Sequence, residues 1–418
     1  EELMSYFQLP KFVEINLKFF LLNLVAFLST IPFLAPIPIA TDIQYPIFII
    51  CAVIVFLDFI SKKIILLKFE VYFIGLALLS FIYINPLSDY DYRINKCVGI
   101  FFAFLVFYVF RRYWRLMNAK YFAIGIYLNA FVAFLEIIQF EIYLKLVTPF
   151  VRVIKFDSGE SDRGVHGLMA EPSFLAGMGA FFCLISIALY YETRISKKSF
   201  IFQILVSLTL IILSSSITGL MFIFPIIFVV LLLTKIKTID ILLFFLISVL
   251  ILFYFTFMMP ELDFRAIDFI RDIIINPSSI LSLEDRSIAL RMMSLIAAYE
   301  SIVQGNILGF GIGTMQYVTI DLLRNSLFFS DFLGDNIYFS GAFISSLSLY
   351  VIEIGIFFII FLLWIYSSTK FIAYAIYIRI ISILYLLFTF SILFPPLWIL
   401  LAITDKSNLE KFNLNKVV

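Results

Sequence analysis

The chain has 418 residues, of which 63% are hydrophobic and 14% are charged. Soluble domains carry about 25% charged residues, so this composition excludes a soluble globular protein and predicts one embedded in lipid. The formal net charge of +1 gives no sign of a nucleic-acid partner, and we expect none.

Apolar runs of about 17 to 25 residues recur along the whole chain, and each is long enough to cross about 30 Å of hydrocarbon as a helix. The predicted spans are residues 17–36, 42–60, 64–85, 97–114, 119–139, 172–192, 199–214, 218–234, 239–259, 342–367, 371–390 and 392–404. Residues 370–404 are long for one helix and short for two, so eleven helices is the alternative to twelve. The sequence therefore predicts an all-α polytopic membrane protein, with residues 1–418 forming a single transmembrane domain.

Basic residues cluster in the connections that follow even-numbered spans, and the positive-inside rule places these connections and the N-terminus in the cytoplasm. The uncharged turn at residues 214–219 fits the outer side. The first span is expected to be an anchor and not a cleaved signal, because further spans follow it. The basic residues concerned are Lys62, Lys63, Lys68, Arg111, Arg112, Arg115, Lys120, Arg194, Lys197, Lys198, Lys235, Lys237 and Lys370.

Few polar residues fall inside the spans. A charge at the centre of a membrane helix costs about 3 kcal/mol on insertion scales, so we expect each one to face the bundle interior or to lie near an interface. The three cysteines have no disulfide or metal spacing and are predicted to be packing residues. The charged residues are Asp58, Glu136, Glu353 and Arg379, and the cysteines are Cys51, Cys97 and Cys183.

Two outer connections are long, residues 140–171 and residues 260–341, and long loops in a compact protein are usually functional. The second contains five arginines and no lysine. Guanidinium grips phosphate oxygens in a bidentate manner and keeps its charge in a poorly hydrated site, so this loop predicts a phosphate or carboxylate ligand. For any single residue, a solvated loop charge balanced by nearby Asp or Glu is the alternative. The basic residues of both loops are Lys145, Arg152, Lys155, Arg163, Arg265, Arg271, Arg286, Arg291 and Arg324.

Residues 163–173 read Arg-Gly-Val-His-Gly-Leu-Met-Ala-Glu-Pro-Ser and contain the only histidine of the chain. Imidazole titrates near neutrality, and His166 with Glu171 five residues later suits proton transfer to or from a hydroxyl. Two simpler interpretations stay open: His166 as a hydrogen-bonded loop residue, and Glu171 as a cap of the helix that begins at Pro172.

In the second outer loop, apolar residues recur at helical spacing over residues 286–303 and predict an amphipathic helix that holds Arg291 near the lipid headgroups. The segment that follows contains Gly309-Phe-Gly311-Ile-Gly313. It lacks a preceding strand and a following Lys-Ser/Thr pair, so we predict a tight turn with close backbone approach and not a nucleotide phosphate loop.

Three stretches together resemble the O-antigen polymerase and ligase family, bacterial enzymes that handle undecaprenyl-pyrophosphate-linked glycans. The first is Arg-x-x-x-Gly-Leu-x-x-Glu-Pro-Ser at residues 163–173, and the second is Leu-Ser-Ser-Ser-Ile-Thr-Gly at residues 213–219. The third is a serine and an arginine before an apolar helix and Gly-x-Gly. Its elements are Ser287, Arg291, Gly309-Phe-Gly311 and the later Glu353-Ile-Gly355.

The resemblance covers the layout of the whole chain through short motifs, and it implies a GT-C-type glycosyltransferase architecture with about twelve helices. The family reaction transfers a glycan from lipid pyrophosphate to a hydroxyl at the outer face of the bacterial inner membrane. It proceeds with inversion and without a metal or cofactor. The implied partners are undecaprenyl-pyrophosphate-linked oligosaccharides as donor and acceptor, membrane lipids and a chain-length regulator protein.

On this resemblance the expected site residues are Glu171, His166, Arg163, Arg291, Arg286 and Arg271. Arg163 and Arg291 would bind the donor pyrophosphate and stabilise the charge that develops as it leaves. The other two arginines would share that role or bind the acceptor's pyrophosphate. Glu171 would orient the sugar or act as the base, with His166 as the alternative base.

The ligase branch of the family carries a histidine in the late loop, shortly before its Glu-x-Gly element. Residues 341–348 here read Gly-Ala-Phe-Ile-Ser-Ser-Leu-Ser, which favours a repeat-unit polymerase. A ligase that transfers polysaccharide to lipid A core is the first alternative. The second is a flippase for lipid-linked oligosaccharides, with a water-filled path lined by Asp58, Glu136 and Arg379. Charge is concentrated in the outer loops and no inverted repeat is found, which favours surface chemistry over transport.

Overall fold

The computed structural model describes residues 11–33, 44–61, 66, 68–82, 90–147, 149–151, 164–233, 286–324, 345–370, 372–388 and 394–405. Over these residues the regular structure is helical, apart from isolated bridge residues, among them the antiparallel pair Thr369 and Asp405. The predicted all-α class is confirmed for this part of the chain. The predicted span 239–259, Arg163 and Arg271 lie outside the described residues, as does the side chain of Arg286.

The helices follow the predicted spans closely. In chain order they are α1 (Lys11–Leu28), α2 (Tyr45–Ile60), α3 (Lys68–Ile82), α4 (Tyr90–Tyr113), α5 (Lys120–Ile138), α6 (Phe140–Leu146), α7 (Pro172–Tyr191), α8 (Lys197–Leu213), α9 (Ile217–Leu233), α10 (Arg286–Val303), α11 (Met315–Arg324), α12 (Ser346–Ile354), α13 (Ile356–Ser367), α14 (Ala373–Phe388) and α15 (Pro395–Ile403). By length and composition, α5 and α7 of the described helices could each cross a membrane. The number of twelve spans stays a prediction.

Helix α7 forms the centre of the bundle. Pro172 begins it, since proline has a backbone angle suited to the first turn and needs no N–H partner there. Every residue from Leu175 to Leu189 is buried, because α8, α9, α14 and α15 all pack against this helix. A Cβ atom on Gly179 would lie 2.5 Å from the Ile211 side chain, so glycine allows α8 to approach closely. Cys183 is buried here without a disulfide partner, as predicted, and so is Cys51 in α2.

One end of the bundle holds a set of buried ion pairs. Asp58, near the end of α2, accepts hydrogen bonds from Lys18 at 2.6 Å and from the Tyr113 hydroxyl. Glu192, just after α7, accepts from the Trp114 indole at 2.6 Å. Tyr113 and Trp114 are adjacent in the chain, so both clusters lie at the same end. Basic residues that the sequence assigns to cytoplasmic connections pair here: Arg111, Arg112 and Lys370.

Arg379 is fully buried inside α14, where an unpaired charge would be costly. Its guanidinium donates to the Thr404 hydroxyl at 2.8 Å, to the Ser368 hydroxyl at 3.0 Å and to the Leu401 carbonyl at 2.9 Å, and lies 3.6 Å from the Asp405 carboxylate. Arg379 therefore faces the bundle interior, as predicted, and ties α14 to the ends of α13 and α15.

The predicted span 342–367 is interrupted in its middle. Helix α12 ends at Ile354 and α13 begins at Ile356, with Gly355 between them at a φ of 59°. The Ile356 N–H donates to the Ile307 carbonyl at 2.8 Å, and a Cβ atom on Gly355 would lie 2.1 Å from that oxygen. The continuous span was wrong because an unbroken apolar run does not reveal a backbone segment packed against one of its glycines.

The segment that packs against this break is the glycine-rich turn predicted from the sequence. Gly309, Gly311 and Gly313 all have φ between 82° and 99°, a region that favours glycine. The N–H groups of Phe310 and Gly311 donate to the carbonyls of residues 352 and 353 at 2.9 Å. The segment follows helix α10 and not a strand, so the tight-turn interpretation is confirmed.

A matched pair of glycine substitutions tests this packing. Gly309→Ala should lower the melting temperature in detergent more than Gly305→Ala, because the two positions have nearly the same φ but different space. Strain at positive φ costs about 1–3 kcal/mol for either alanine. At Gly309 the new Cβ would also lie 2.6 Å from the Glu353 backbone, whereas nothing lies within 4 Å at Gly305. Equal losses would contradict close packing of this turn on α12.

Candidate functional site

Glu136, at the end of α5, holds the loop that contains the histidine. The His166 N–H donates to its two carboxylate oxygens at 3.1 and 3.0 Å, and the Gly167 N–H donates at 2.7 Å. The Nδ1 atom of His166 lies 3.0 Å from the same carboxylate. Glu136 is 7% exposed, so these donors replace the water that a buried carboxylate would lose. His166 is thus a hydrogen-bonded loop residue whose imidazole has a specific acidic partner.

Tyr143 on the short helix α6 provides a second anchor for this loop. Its hydroxyl donates to the Gly167 carbonyl at 2.9 Å. Burial raises the pKa of the Tyr143 phenol, and the Glu136 carboxylate adds to the rise, so the hydroxyl stays protonated and keeps donating. Gly167 has a φ of 59°, which turns the chain toward Leu168 and the start of α7. The backbone after His166 is therefore held from two sides.

The same loop contacts the serine-rich turn between α8 and α9. The Val165 N–H donates to the Leu213 carbonyl at 3.1 Å, and a Cβ atom on Gly164 would lie 2.2 Å from the Ser214 carbonyl. Gly164 has a φ of 96°, which only glycine adopts readily. Two of the three stretches that carry the family resemblance, far apart in sequence, are therefore in direct contact.

Glu171 occupies the position immediately before α7 in an extended backbone conformation. Its side chain makes no capping hydrogen bond to the helix backbone, and one carboxylate oxygen accepts from the Ser173 hydroxyl at 3.3 Å. Glu171 is a partly buried acid beside the His166 loop, and it occupies the capping position of α7 that the simpler interpretation gave it, without a side-chain bond to the helix backbone.

Arg291 reaches the serine-rich turn from α10. It is 4% exposed, and its guanidinium donates to the Thr218 hydroxyl at 2.8 Å. Thr218 lies in the first turn of α9, where backbone N–H groups without helical partners point away from the helix. The arginine is therefore buried against α9, and its predicted position near the lipid headgroups stays a prediction. Its guanidinium group contacts residues 213–219, the same stretch that the loop containing His166 contacts through Val165.

The structure describes the side chains of three of the six predicted site residues. His166 and Glu171 belong to the loop whose Val165 N–H donates to Leu213, and Arg291 donates to Thr218, five residues further along the chain. Arg163 precedes Gly164 directly but lies outside the described residues, as does Arg271. Helix α10 begins at Arg286, whose side chain is not described. No group of three His, Cys, Asp or Glu side chains placed to hold a metal ion occurs within the described ranges.

Sequence reasoning missed three residues that build the site. Glu136 was noted as a charge inside a span, but its spacing from His166 gives no signal of contact because a 30-residue separation fixes no geometry. Tyr143 carries no motif that distinguishes it from other loop residues, and Thr218 lies in the serine-rich stretch 213–219, but nothing in that stretch singled it out as the partner of Arg291. Glu353 resembles part of a family element, and here its buried carboxylate accepts from the Gly313 N–H at 2.9 Å, holding the glycine turn.

This arrangement can bind an anion and move a proton. Arg291 supplies a buried cation beside the first turn of α9. The His166 imidazole and the Glu171 carboxylate supply two groups able to accept a proton from a hydroxyl. Comparison with known proteins adds no relative to this chain: no family model, no curated protein and no solved structure matches it.

Proposed function

We propose that the chain is a membrane glycosyltransferase that joins lipid-pyrophosphate-linked oligosaccharide repeat units into O-antigen, capsular polysaccharide or exopolysaccharide. The growing chain on one lipid pyrophosphate is the donor, and a single lipid-linked repeat is the acceptor. The reaction takes place at the outer face of the bacterial inner membrane, inverts the anomeric carbon and uses no metal. A chain-length regulator protein is the expected protein partner.

One observation carries this proposal: the contact between residues 163–173 and residues 213–219, with Arg291 bound to the second stretch. These are the elements on which the resemblance to the O-antigen polymerase and ligase family rests. A chance similarity of short motifs would not require them to meet in the fold. The segments that meet here carry a buried arginine, an imidazole and a carboxylate, which are the groups that pyrophosphate departure and hydroxyl attack call for.

In the proposed reaction, Arg291 and Arg163 bind the donor pyrophosphate and stabilise the negative charge that grows on it as the sugar leaves. Arg286 and Arg271 assist them or bind the acceptor's pyrophosphate. Arginine suits this role because its charge persists when it is desolvated and its fork matches phosphate oxygens. Glu171 or His166 takes the proton from the acceptor hydroxyl.

A polytopic membrane location is part of the proposal, and the surface of the bundle supports it. Large apolar side chains point outward along several helices; Phe131 is 65% exposed, Ile138 74% and Leu363 65%. Exposed apolar surface on this scale marks contact with lipid or with another protein. The buried ion pairs collect at the opposite end from the His166 loop, because α5 and α7 run between the two. That segregation agrees with the predicted cytoplasmic basic connections and outer loops.

The structure also bears on the flippase alternative. A transport path lined by Asp58, Glu136 and Arg379 needs these groups to face one common channel. Each is instead engaged in its own set of contacts: Asp58 and Arg379 with partners at one end of the bundle, and Glu136 with the His166 loop at the other. These contacts favour surface chemistry, while the ligase alternative, which shares the fold, is left to experiment.

A polymerisation assay tests the proposed reaction. Purified protein in detergent, given a lipid-pyrophosphate repeat unit from its host, should produce a ladder spaced by whole repeat units. Arg291→Ala should abolish the ladder, and Arg291→Lys should lower the rate at least about tenfold, because lysine keeps the charge but loses the fork. Arg324→Ala, which removes an exposed arginine from the same outer loop, should leave the ladder unchanged and serves as the matched control.

Other outcomes of this assay decide between the alternatives. Transfer that occurs only when lipid A core is added would assign the protein as a ligase. A ladder of full length from Arg291→Ala would remove Arg291 from the pyrophosphate site. No product with either acceptor, from protein that is folded by its melting curve, would overturn the glycosyltransferase proposal in favour of transport.

Cysteine labelling tests the orientation. Lys198→Cys and Gln304→Cys introduce exposed thiols, while native Cys51 and Cys183 are buried and Cys97 is replaced by alanine. In spheroplasts, a membrane-impermeant maleimide should label Gln304→Cys at once and Lys198→Cys only after permeabilisation. The reverse pattern would invert the topology, and labelling of both in intact spheroplasts would contradict the two-sided arrangement.

A further inference from the structure

Glu136 contacts the imidazole of His166 as well as its backbone N–H group. Two backbone N–H groups already bind the carboxylate, at distances of 2.7 to 3.1 Å, and would be enough to hold the loop. The imidazole is nevertheless turned back so that Nδ1 also lies 3.0 Å from Oε1 of Glu136. This places a carboxylate against one specific nitrogen of the only histidine in the chain.

The Glu136 carboxylate determines which nitrogen of the His166 ring carries the hydrogen. An ionised carboxylate can only accept hydrogen bonds, so Nδ1 must donate and carries the hydrogen in the neutral imidazole. The lone pair of the neutral ring then resides on Nε2. Pairs in which a carboxylate fixes the tautomer and orientation of a histidine recur where that histidine acts as a base through its other nitrogen.

We propose that Glu136 is the positioning residue for His166, and that this pair is the general base of the site. This inference rests on the proposed function and chooses between the two candidate bases, His166 and Glu171. Among the described residues, the Glu171 carboxylate accepts from the Ser173 hydroxyl, whereas the His166 imidazole lies against a carboxylate from another helix. Tyr143 faces the same loop from α6 and donates to the Gly167 carbonyl.

The proton and the electron pairs balance in the proposed step. The acceptor hydroxyl gives its proton to Nε2 of His166, and its oxygen forms a bond to the anomeric carbon of the donor. The bond from that carbon to the pyrophosphate breaks, and its electron pair leaves with the lipid pyrophosphate, beside Arg291. The imidazolium so formed carries both ring protons and is stabilised by the Glu136 carboxylate.

Glu136→Gln is the informative substitution because glutamine has nearly the same shape as glutamate. Its amide nitrogen, however, donates a hydrogen bond where the carboxylate oxygen accepts one. The amide oxygen can still accept from the backbone N–H groups, whereas the amide NH₂ group would point to Nδ1 and donate to it. The hydrogen of the neutral ring then moves to Nε2, and the nitrogen that should accept the substrate's proton no longer can. We expect kcat to fall by about 100-fold or more with little change in KM.

Tyr143→Phe is the matched control for a purely structural role. It removes the hydrogen bond to the Gly167 carbonyl of the same loop and leaves the Glu136 carboxylate in place beside Nδ1 of His166. If Glu136 merely anchored the loop, Tyr143→Phe and Glu136→Gln would lower stability and rate in parallel. The proposal instead predicts a large loss of kcat that is confined to Glu136→Gln.

Nitrogen NMR of ¹⁵N-histidine-labelled protein tests the pair directly, without reference to activity. The chain contains one histidine, so a preparation purified through a histidine-free tag gives one imidazole. At a pH where the ring is neutral, the spectrum should show Nδ1 protonated in the native protein and in Tyr143→Phe, and Nε2 protonated in Glu136→Gln. A native ring protonated on Nε2, or a mixture unchanged by Glu136→Gln, would overturn the assignment of Glu136 as the positioning residue.

A double-mutant cycle completes the test. In a His166→Ala background, Glu136→Gln should cost less than about twofold in kcat, since the group that it orients is gone. An undiminished loss in that background would assign Glu136 to the loop alone. Failure of the proposed function and failure of this inference can be distinguished. If native protein forms no ladder, the proposed function is wrong, but the tautomer measurement remains valid. If the ladder forms and His166→Ala retains full kcat, only the assignment of His166 as the base is wrong.

Discussion

A carboxylate buried at the end of an apolar helix must find donors in the protein, and at Glu136 all of the described donors come from one loop. The His166 and Gly167 N–H groups and the imidazole surround it where α5 ends. Removing an ionised group from water costs several kcal/mol unless hydrogen bonds replace the lost hydration. The loop that supplies these donors leads directly into α7, which begins at Pro172 and packs against α8, α9, α14 and α15.

The same requirement is met differently at the other end of the bundle. There the acidic residues pair with cations: Asp58 with Lys18 of α1, and Glu192, just after α7, with Lys370, in the connection between α13 and α14. The described partners of these two carboxylates are side chains, not backbone N–H groups. Glu136 is different because it holds backbone and imidazole together in a loop that reaches a second motif. At one end of the bundle the ion pairs therefore hold chain segments together. At the other end the carboxylate of Glu136 holds an imidazole, a group able to exchange a proton.

The candidate site is compact because three chain segments share one turn. Val165 contacts Leu213 at the end of α8, Arg291 contacts Thr218 in the first turn of α9, and glycine at position 164 permits close contact with Ser214. In the ligase branch that the family resemblance describes, the histidine belongs to the late loop; here the single histidine lies in the early loop and has its own carboxylate. A polymerase in which the base is supplied from this side of the site is consistent with both the missing late histidine and the observed pair.

The sequence by itself determined the helical class, most helix positions and the identity of the polar stretches. Periodicity, length and Pro172 are local signals, and the structure bears them out over the described residues, including α14 and α15 as two separate helices. Only the tertiary structure decided that Glu136 faces His166, that Arg291 is buried against Thr218, and that the span 342–367 breaks at Gly355. The physical reason is the same in each case. These features depend on contacts between residues 30, 73 and about 48 positions apart, and no short-range pattern encodes which distant segment will supply a buried group with its partner.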